Sequence, residues 1–341
     1  MEFDAVQFDA VEFDTFHHAY TAVLRSLVDE PSYRNAPRGQ PSSERLGVQY
    51  RLRRPSQRVP LVPARRLNIA FNLAEALWYL SGRDDLDFIG YYAPGMHKYS
   101  ADGVRLTGTA YGRAIFGGDG RPDQWRAVVD QLRDDPDSKR AVVQIFRGEE
   151  LAVPGNPDVS CTLGVQFLVR EGVLHAMAFM RANDAYRGMS SDVFSFTFLQ
   201  ELMARELGLR LGGYVHSVGS MHVYDSDARR AREVLADPAA AADPELPFPE
   251  MPEGDNWPFV RRVLDLEEPL RLDRHRLDPD VDLNGLPDYW AQVLLVLELH
   301  RAVRHGGAPD AGAVAMLWPC YRWLVGRWRP DLVADPVTLP C

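Results

Sequence analysis

The chain has 341 residues, of which 46% are hydrophobic, enough for one large core or for two domains. Its 38 basic and 48 acidic residues give a net charge of −10, which argues against a general nucleic-acid-binding protein because such proteins need a basic surface. No apolar run reaches membrane-spanning length, and the acidic N-terminus is unlike a signal peptide. Three scattered cysteines fit a reducing compartment. We therefore predict a cytoplasmic protein with neither nucleic-acid nor membrane partners and without a metal site.

The N-terminal segment begins with a near-repeat of five residues (EFDAV, QFDAV, EFDTF) over residues 1–15, which we interpret as a strand or arm. Residues 16–29 have the hydrophobic spacing of a helix. At the start of that helix we interpret His17 and His18 as a solvated pair rather than as metal ligands.

A polar segment at residues 30–48 follows, and its composition favours a solvated loop. It contains Arg34, Arg38 and Arg45. The residues alone leave open whether one of these arginines binds an anion.

The pattern of residues 66–81 predicts a largely buried helix that ends at Gly82. Glu75 lies in the middle of this helix. A buried carboxylate is costly unless it is paired or hydrogen-bonded. The helix pattern alone does not decide between a solvated face and a functional carboxylate.

Residues 91–117 are rich in Gly and Tyr and show no clear period, and residues 122–133 have the pattern of an amphipathic helix. A β-rich run follows at residues 141–146. The basic pair Lys139-Arg140 precedes it, after an Asp-Pro turn, and such a pair is usually a solvated turn.

Chemically useful residues are concentrated in residues 156–196. Cys161 opens a predicted strand, a turn at residues 170–172 reverses the chain, and the second strand ends in Arg181-Ala182-Asn183-Asp184. A glycine loop then leads to Asp192 at the head of a helix predicted over 192–207, with Ser190 or Ser191 as its cap and Gly208 as its end. A thiol, a guanidinium and two carboxylates so close in sequence are suited to covalent catalysis on an anionic substrate.

The remainder of the chain divides at residue 236, where the composition becomes rich in Ala, Pro and acidic residues. Before it, residues 213–224 alternate as a strand and a basic helix follows to about residue 235. After it, helices are predicted at about 287–305 and 311–327, with Cys320 as a core residue. We predict a core at 1–235 and a C-terminal extension at 236–341 that packs on it.

Several motifs resemble the thymidylate synthase family over about residues 20–235. They are Glu75-x-x-Trp78-x-Leu80, Gly108 to Arg113 (GTAYGR), Asp135 to Arg140 (DPDSKR), Cys161 with Gln166-Phe167, Arg181 to Asp184 (RAND), Gly188 with Ser190 to Asp192 (SSD), and His222-Val223-Tyr224. The resemblance implies an α+β fold with a mixed β-sheet core flanked by helices, here with a helical C-terminal addition. It also implies a homodimer, in which Lys139 and Arg140 reach the phosphate in the neighbouring active site.

The resemblance further implies that Cys161 adds to C6 of a pyrimidine nucleotide, whose C5 then attacks a one-carbon unit drawn from 5,10-methylenetetrahydrofolate. The implied site residues fall into four groups. Catalytic residues would be Cys161, Glu75, Tyr111 and Asp192; phosphate would be bound by Arg181, Lys139, Arg140 and Arg38 or Arg34, next to Ala182; base and sugar would be bound by Asp192, Gln166, His222 and Tyr224; and folate would be bound by Asp184, His97 and Glu75. We expect neighbouring cationic groups to lower the pKa of the Cys161 thiol.

Departures from the family's pattern suggest the substrate and the product. Asp192 stands where thymidylate-forming members have Asn, and an ionised carboxylate can accept from both donors of a cytosine adduct protonated at N3. His97 and Ser100 stand in place of tryptophans and Thr162 in place of a histidine, which favours addition of water over reduction.

The departures Ala182 and Lys139, beside the sugar and phosphate, favour CMP over dCMP. The chain thus resembles the cytidylate hydroxymethylase branch, which includes enzymes of mildiomycin-type nucleoside antibiotic biosynthesis. The alternatives are hydroxymethylation of dCMP, methylation of dUMP, and a catalytically silent nucleotide-binding protein.

Overall fold

A computed structural model describes residues 10–118 and 120–333, and in that part of the chain helices flank one mixed β-sheet. The strands are β1 (Val11–Phe13), β2 (Tyr33–Asn35), β3 (Ser42–Leu52), β4 (Val142–Gln144), β5 (Thr162–Arg170), β6 (Val173–Asp184) and β7 (Arg210–Tyr224). The helices are α1 (Phe16–Asp29), α2 (Ile69–Leu80), α3 (Leu86–Tyr92), α4 (Tyr111–Ile115), α5 (Gln124–Asp134), α6 (Glu149–Ala152), α7 (Met189–Leu207), α8 (Ala228–Ala236), α9 (Trp257–Arg271), α10 (Pro279–Asp282), α11 (Asp288–Arg304), α12 (Ala311–Met316) and α13 (Pro319–Trp328). The predicted α+β fold with a mixed sheet is confirmed.

The described sheet runs in the order β1-β3-β7-β6-β5-β4, with β2 also paired to β3. β6 and β7 are parallel neighbours, whereas β5 pairs with β6 as an antiparallel hairpin. Glu171 and Gly172 at the hairpin turn have φ of 52° and 70°, so the left-handed turn falls where the sequence predicts a reversal. The hairpin places the start of β5 beside the end of β6, at one end of the sheet.

Two buried helices carry site residues above the sheet. α2 is capped by Asn68, whose side chain accepts from the Phe71 N–H, and ends before Gly82 at φ 65°. α7 is buried over nearly its whole length because it packs between α2 and strands β6 and β7. It ends at Gly208 in the left-handed conformation, as predicted.

Several local predictions were wrong for identifiable reasons. Residues 42–48 were predicted as loop but form the first half of β3, because β2 and β7 supply backbone hydrogen bonds on both sides of this polar segment. α7 begins at Met189 and has Gly188 as its cap, so Ser190 and Ser191 lie in its first turn. The helix predicted at 311–327 is broken at Pro319, which lacks an N–H. α9 was not predicted at all.

The histidine pair at the start of α1 was only half correctly interpreted. His17 is buried, and its Nδ1 accepts from the Leu61 N–H at 3.1 Å. Burial lowers the pKa of His17 to about 4. His18 remains partly exposed, and its Nδ1 lies 3.2 Å from the Thr15 hydroxyl.

Helices after residue 256 pack on α2 and on one another. α11 and α13 contact α2, and α9 packs against α11. The fully buried pair Arg58–Glu201 anchors the connection, because Glu201 Oε1 also accepts from the Met251 N–H at 2.7 Å. Cys320 is buried in α13, as predicted. The division at residue 236 stays a prediction.

The predicted N-terminal arm is described only in its last part, where β1 pairs in parallel with β3. Residues 1–9 and Cys341 lie outside the described residues. In the described ranges, no helix combines the length and apolarity needed to cross a membrane.

Candidate active site

The start of the β5–β6 hairpin holds Cys161 against Arg181. The backbone N–H of Arg181 donates to Cys161 O at 2.8 Å, and the guanidinium donates to Ser160 O and Val159 O, both at 2.8 Å. These bonds place Arg181 Nη2 3.7 Å from the Cys161 sulfur. The backbone oxygens of Val159 and Ser160 therefore hold the guanidinium close to the thiol without a bound ligand.

The expected effect of cations on the thiol is present but is not dominant. Burial raises the pKa of the Cys161 thiol, and Asp192 adds to the increase. Arg181 and Arg38 lower the pKa without reversing the shift. The prediction of a lowered pKa was wrong because desolvation outweighs the two guanidinium charges. Addition to a substrate therefore has to be coupled to loss of the thiol proton.

Asp192 lies in the first turn of α7, where its Oδ2 accepts from Asn183 Nδ2 at 2.7 Å. Burial raises the pKa of Asp192 to about 7, the Asn183 bond lowers it, and Asp184 raises it. The carboxyl thus ionises near neutral pH while one oxygen is held by an amide donor.

Glu75 faces the same region from α2. Its Oε2 accepts from the Ser195 hydroxyl at 3.1 Å. Burial raises the pKa of Glu75 to about 8, with a further contribution from Asp192. Two carboxyls that both titrate near neutral pH are suited to proton transfer.

Glu75 should also make stability depend on pH. Its pKa is about 8 in the fold against 4.5 when exposed, so its favourable contribution is complete below pH 4.5 and is lost as pH rises through 8. We expect Glu75→Gln to raise the free energy of unfolding relative to the parent, by on the order of a few kcal/mol at pH 9, and to have little effect at pH 4.

Urea unfolding at several pH values measures this difference. Glu233→Gln is the matched control, because Glu233 is an exposed helical carboxylate paired with Arg229. A constant difference between the Glu75 variant and the parent across the pH range would contradict a buried, titrating Glu75.

Tyr111 completes the buried wall of the site. Its ring stacks on Tyr79 at 5.2 Å and on Phe196 at 6.0 Å. α4 can approach this closely because a Cβ at Gly112 would lie 2.2 Å from Tyr79 O. Burial raises the pKa of the Tyr111 hydroxyl, and its coupling to Asp192 and Cys161 raises it further.

The loop before the cysteine is fixed by a buried aspartate that the motifs did not indicate. Asp158 accepts from the N–H groups of Gly108 and Thr109 at 2.8 and 3.0 Å. A Cβ at Gly108 would lie 2.1 Å from Asp158 O, so only glycine fits there. The Gly108 segment and the Cys161 loop are thereby joined.

A second group lies where β6 and β7 end. Asp184 pairs with His222 in the sheet register, and the rings of His222 and Tyr224 are 5.0 Å apart. Asp184 Oδ1 accepts from the N–H groups of Tyr186 and Arg187, both at 2.9 Å, so it does act as a turn aspartate. Burial raises the pKa of Asp184.

The structure separates the two candidate loop arginines. Arg34 is paired with Asp225 at 3.5 Å. Arg38 makes no ion pair with any described residue, and its charge lowers the pKa of both Cys161 and Tyr224. Arg38, with φ of 52°, is therefore the better candidate for an anion ligand.

Other predicted residues lie apart from this cluster within one chain. Gln166 donates to Lys139 O at 2.9 Å. Lys139 and Arg140 are exposed in the turn before β4. His97 lies against Gly90, where an added Cβ would be 2.9 Å from its Nε2. Their predicted roles stay predictions.

Sequence reasoning missed some residues that border the site. Tyr79 lies one helical turn after Glu75 and lowers the pKa of that carboxyl, and this spacing could have revealed it. Arg187, which stacks over Tyr224 at 5.6 Å, is the third residue after the RAND motif. Tyr99 raises the pKa of both Arg187 and Tyr224, but nothing in the irregular sequence around Tyr99 indicates this.

A half-buried cysteine beside an arginine, with two titratable carboxyls within electrostatic range, is typical of enzymes that act by covalent catalysis. The family model for thymidylate synthase matches residues 18–258. The chain belongs to the thymidylate synthase family, whose members are folate-dependent one-carbon transferases. It is also 28% identical, over 333 residues, to the deoxyuridylate hydroxymethyltransferase of Bacillus phage SP01, covering 88% of this chain and 87% of that protein.

Proposed function

We propose that the protein transfers a hydroxymethyl group to C5 of CMP, using 5,10-methylenetetrahydrofolate and water and releasing tetrahydrofolate. The observation that carries the choice of base is Asp192, a carboxyl with one oxygen held by Asn183 and a pKa of about 7. An ionised carboxylate accepts hydrogen bonds only, so it suits the amino group and the protonated N3 of a cytosine adduct.

The proposed chemistry begins at Cys161. Its sulfur bonds to C6 of the base while the thiol proton is transferred to N3, and the electron pair displaced from the C5–C6 double bond makes C5 a nucleophile. Arg181, fixed 3.7 Å from the sulfur, stabilises the thiolate and binds the substrate phosphate. Asp192 stabilises the adduct at N3 and the exocyclic amine.

The folate co-substrate supplies the one-carbon unit at the oxidation level of formaldehyde. Asp184 suits the N–H donors of a pteridine ring. Its Oδ1 accepts from two backbone amides. Its Oδ2 has no described partner nearer than Arg187 Nε, at 3.9 Å, and can therefore accept from a ligand. In this proposal Glu75 and Tyr111 move protons to and from C5 and its substituent. C5 bonds to the one-carbon unit, and loss of the C5 proton then expels tetrahydrofolate and leaves an exocyclic methylene on the base. Hydroxide from water adds to that methylene, and departure of the Cys161 sulfur restores the aromatic base.

Hydroxymethylation rather than methylation is favoured by the phage relative, whose name specifies a hydroxymethyl transfer. That name also specifies deoxyuridylate, which makes dUMP hydroxymethylation the second candidate. Asp192 argues against uracil, because the N3–H of uracil is a donor but its O4 is an acceptor that would face a carboxylate oxygen. The preference for CMP over dCMP depends on Ala182, a half-buried residue on β6, and on Lys139.

We include a homodimer in the proposal. β6 buries Ala176, Ala178 and Met180, whereas Phe179, which points to the opposite face, is exposed. Leu163 on the neighbouring strand β5 is a second exposed apolar side chain. A partner on this face would cover apolar side chains and could accept Lys139 and Arg140. A monomer mass in sedimentation at assay concentration would contradict this.

Mass spectrometry of the products tests the function. CMP, dCMP, UMP and dUMP would each be incubated with the protein and 5,10-methylenetetrahydrofolate. We expect a gain of CH2O on CMP. The same gain on dCMP alone would overturn the sugar assignment, and a gain on dUMP alone would overturn the base assignment. A methyl gain would overturn the hydration step, and no product with any nucleotide would favour a silent binding protein.

A further inference from the structure

A buried chain of polar side chains continues from Asp192 into the sheet. Asn183 Oδ1 lies 2.9 Å from His216 Nε2, and His216 Nδ1 lies 2.8 Å from the Tyr214 hydroxyl. All three residues are buried, with His216 and Tyr214 fully inaccessible. They come from β6 and β7, which are adjacent in the sheet. The proposed chemistry leaves this chain without a role.

Each hydrogen bond in the chain has a fixed direction when Asp192 is ionised. Asp192 can only accept, so the Asn183 amide donates through Nδ2 and presents Oδ1 to His216. His216 must then donate from Nε2. Burial lowers the pKa of His216 to about 3, so the ring is neutral and its Nδ1 has no proton. Tyr214 therefore donates its O–H to Nδ1.

The reverse direction is possible only if Asp192 is protonated. Asp192 would then donate to Asn183, the amide would be turned over, and His216 would donate from Nδ1 to Tyr214. The Tyr214 O–H would be left as a buried donor with no acceptor among the described residues besides His216. The forward direction leaves only lone pairs on that hydroxyl, which costs less than an unpaired donor. Tyr214 at the end of the chain thus favours the direction that suits an ionised Asp192.

We propose that Asn183, His216 and Tyr214 are positioning residues that hold Asp192 as a hydrogen-bond acceptor and thereby help to select cytosine. This inference rests on the proposed function. With Oδ2 engaged by Asn183, the other carboxylate oxygen is oriented towards the base. A freely turning Asn183 amide could instead present its carbonyl to Asp192, which would favour the protonated acid and weaken the discrimination against uracil.

Other charged or titratable groups also affect the pKa of Asp192, so the test needs a substitution confined to the hydrogen-bonded residues Asn183, His216 and Tyr214. The groups that are electrostatically coupled to Asp192 are Glu75, Tyr79, Tyr111, Tyr50, Cys161 and Asp184. Among these groups only Tyr50 is in ring contact with His216, at 5.3 Å, so substitution there leaves the others in place. Glutamine can accept from Tyr214 through Oε1 while donating to Asn183 through Nε2. The pair His216→Leu and His216→Gln therefore separates hydrogen bonding from packing.

The first measurement is the pH profile of kcat/KM for CMP and for UMP in the parent and both variants. In His216→Leu we expect the acidic limb to move up by about one pH unit, and the preference for CMP over UMP to fall roughly tenfold or more. His216→Gln should restore both values towards those of the parent. Equal profiles in all three proteins, or a loss in His216→Leu of kcat alone with unchanged pH profile and preference, would overturn the inference.

The second measurement needs no turnover, and it uses the His216→Gln variant only to assign a signal. Nitrogen NMR of the ¹⁵N-histidine-labelled parent reports which imidazole nitrogen carries the proton, and the His216→Gln protein identifies the signal. We expect His216 to be the neutral Nε2–H form from pH 5 to 9. The Nδ1–H form at pH 9, or titration of His216 between pH 5 and 9, would overturn the proposed direction of the hydrogen bonds from Tyr214 to Asp192. A parent with this tautomer that fails to use CMP would instead refute the proposed function and the role of the chain in cytosine selection.

Discussion

Cys161→Ser is expected to lower turnover of the preferred nucleotide by on the order of 10⁴-fold or more, because a serine hydroxyl is a far weaker nucleophile than a thiolate. Nucleotide affinity should change little. The guanidinium of Arg181 is held by Ser160 O and Val159 O rather than by the sulfur, so the anion site persists without the thiol. Single-turnover kinetics and isothermal titration calorimetry with CMP would measure the two quantities separately.

The control for this experiment is Cys320→Ser, which removes the other described thiol from a buried position in α13. It should cost stability without changing kcat after correction for the folded fraction. Turnover of the Cys161 variant at the level of the parent would remove the nucleophile from the proposal. Loss of CMP binding along with turnover would mean that the sulfur also organises the anion site.

The sequence was most informative where local patterns decide the structure. The turn at Glu171-Gly172 and the end of α7 need positive φ, and Gly172 and Gly208 adopt it without steric cost. The first half of β3 could not be predicted in this way, because its polar residues become a strand only through pairing with β2 and β7.

The motifs indicated residues that the fold brings together, but they did not indicate the electrostatics of those residues. Cys161, Arg181, Asp192, Glu75 and Tyr111 do lie in one electrostatically coupled cluster. The raised pKa of the thiol could not be inferred, since it depends on how deeply the folded chain buries a residue that begins a strand.

The hydrogen bonds that link Asp192 through Asn183 and His216 to Tyr214 could not be predicted from the sequence either. Asn183, His216 and Tyr214 are brought together by the parallel register of β6 and β7, which follow one another in the chain only after the nineteen-residue helix α7. His216 and Tyr214 alternate in a strand pattern, where inward polar residues look the same as outward ones before burial is known. Such pairings are set by tertiary contacts rather than by spacing.

Asp192→Asn is expected to reverse the preference between bases. An amide at this position can donate to O4 of uracil and accept from its N3–H, whereas against cytosine its N–H would face another donor. Sites built on matched hydrogen bonds discriminate by about 10⁴ to 10⁵, so the ratio of kcat/KM for CMP to that for UMP should fall by on the order of 10³-fold or more. The new carbonyl oxygen has two lone pairs, so it can accept from Asn183 Nδ2 as well as from N3–H, and the side chain stays anchored.

The pH dependence of the same variant supplies an independent check on this role. In the parent, Asp192 must be ionised to accept both donors of the adduct, so activity on CMP should rise as pH increases through about 7. The amide does not titrate, so this limb should be absent from the variant's profile for UMP. Asp130→Asn, which removes an exposed carboxylate from α5, is the control and should leave both the profile and the preference unchanged. A variant that kept its preference for CMP would show that the base is selected elsewhere, and Asp192 would then be left as a buried acid of the proton-transfer group with Glu75.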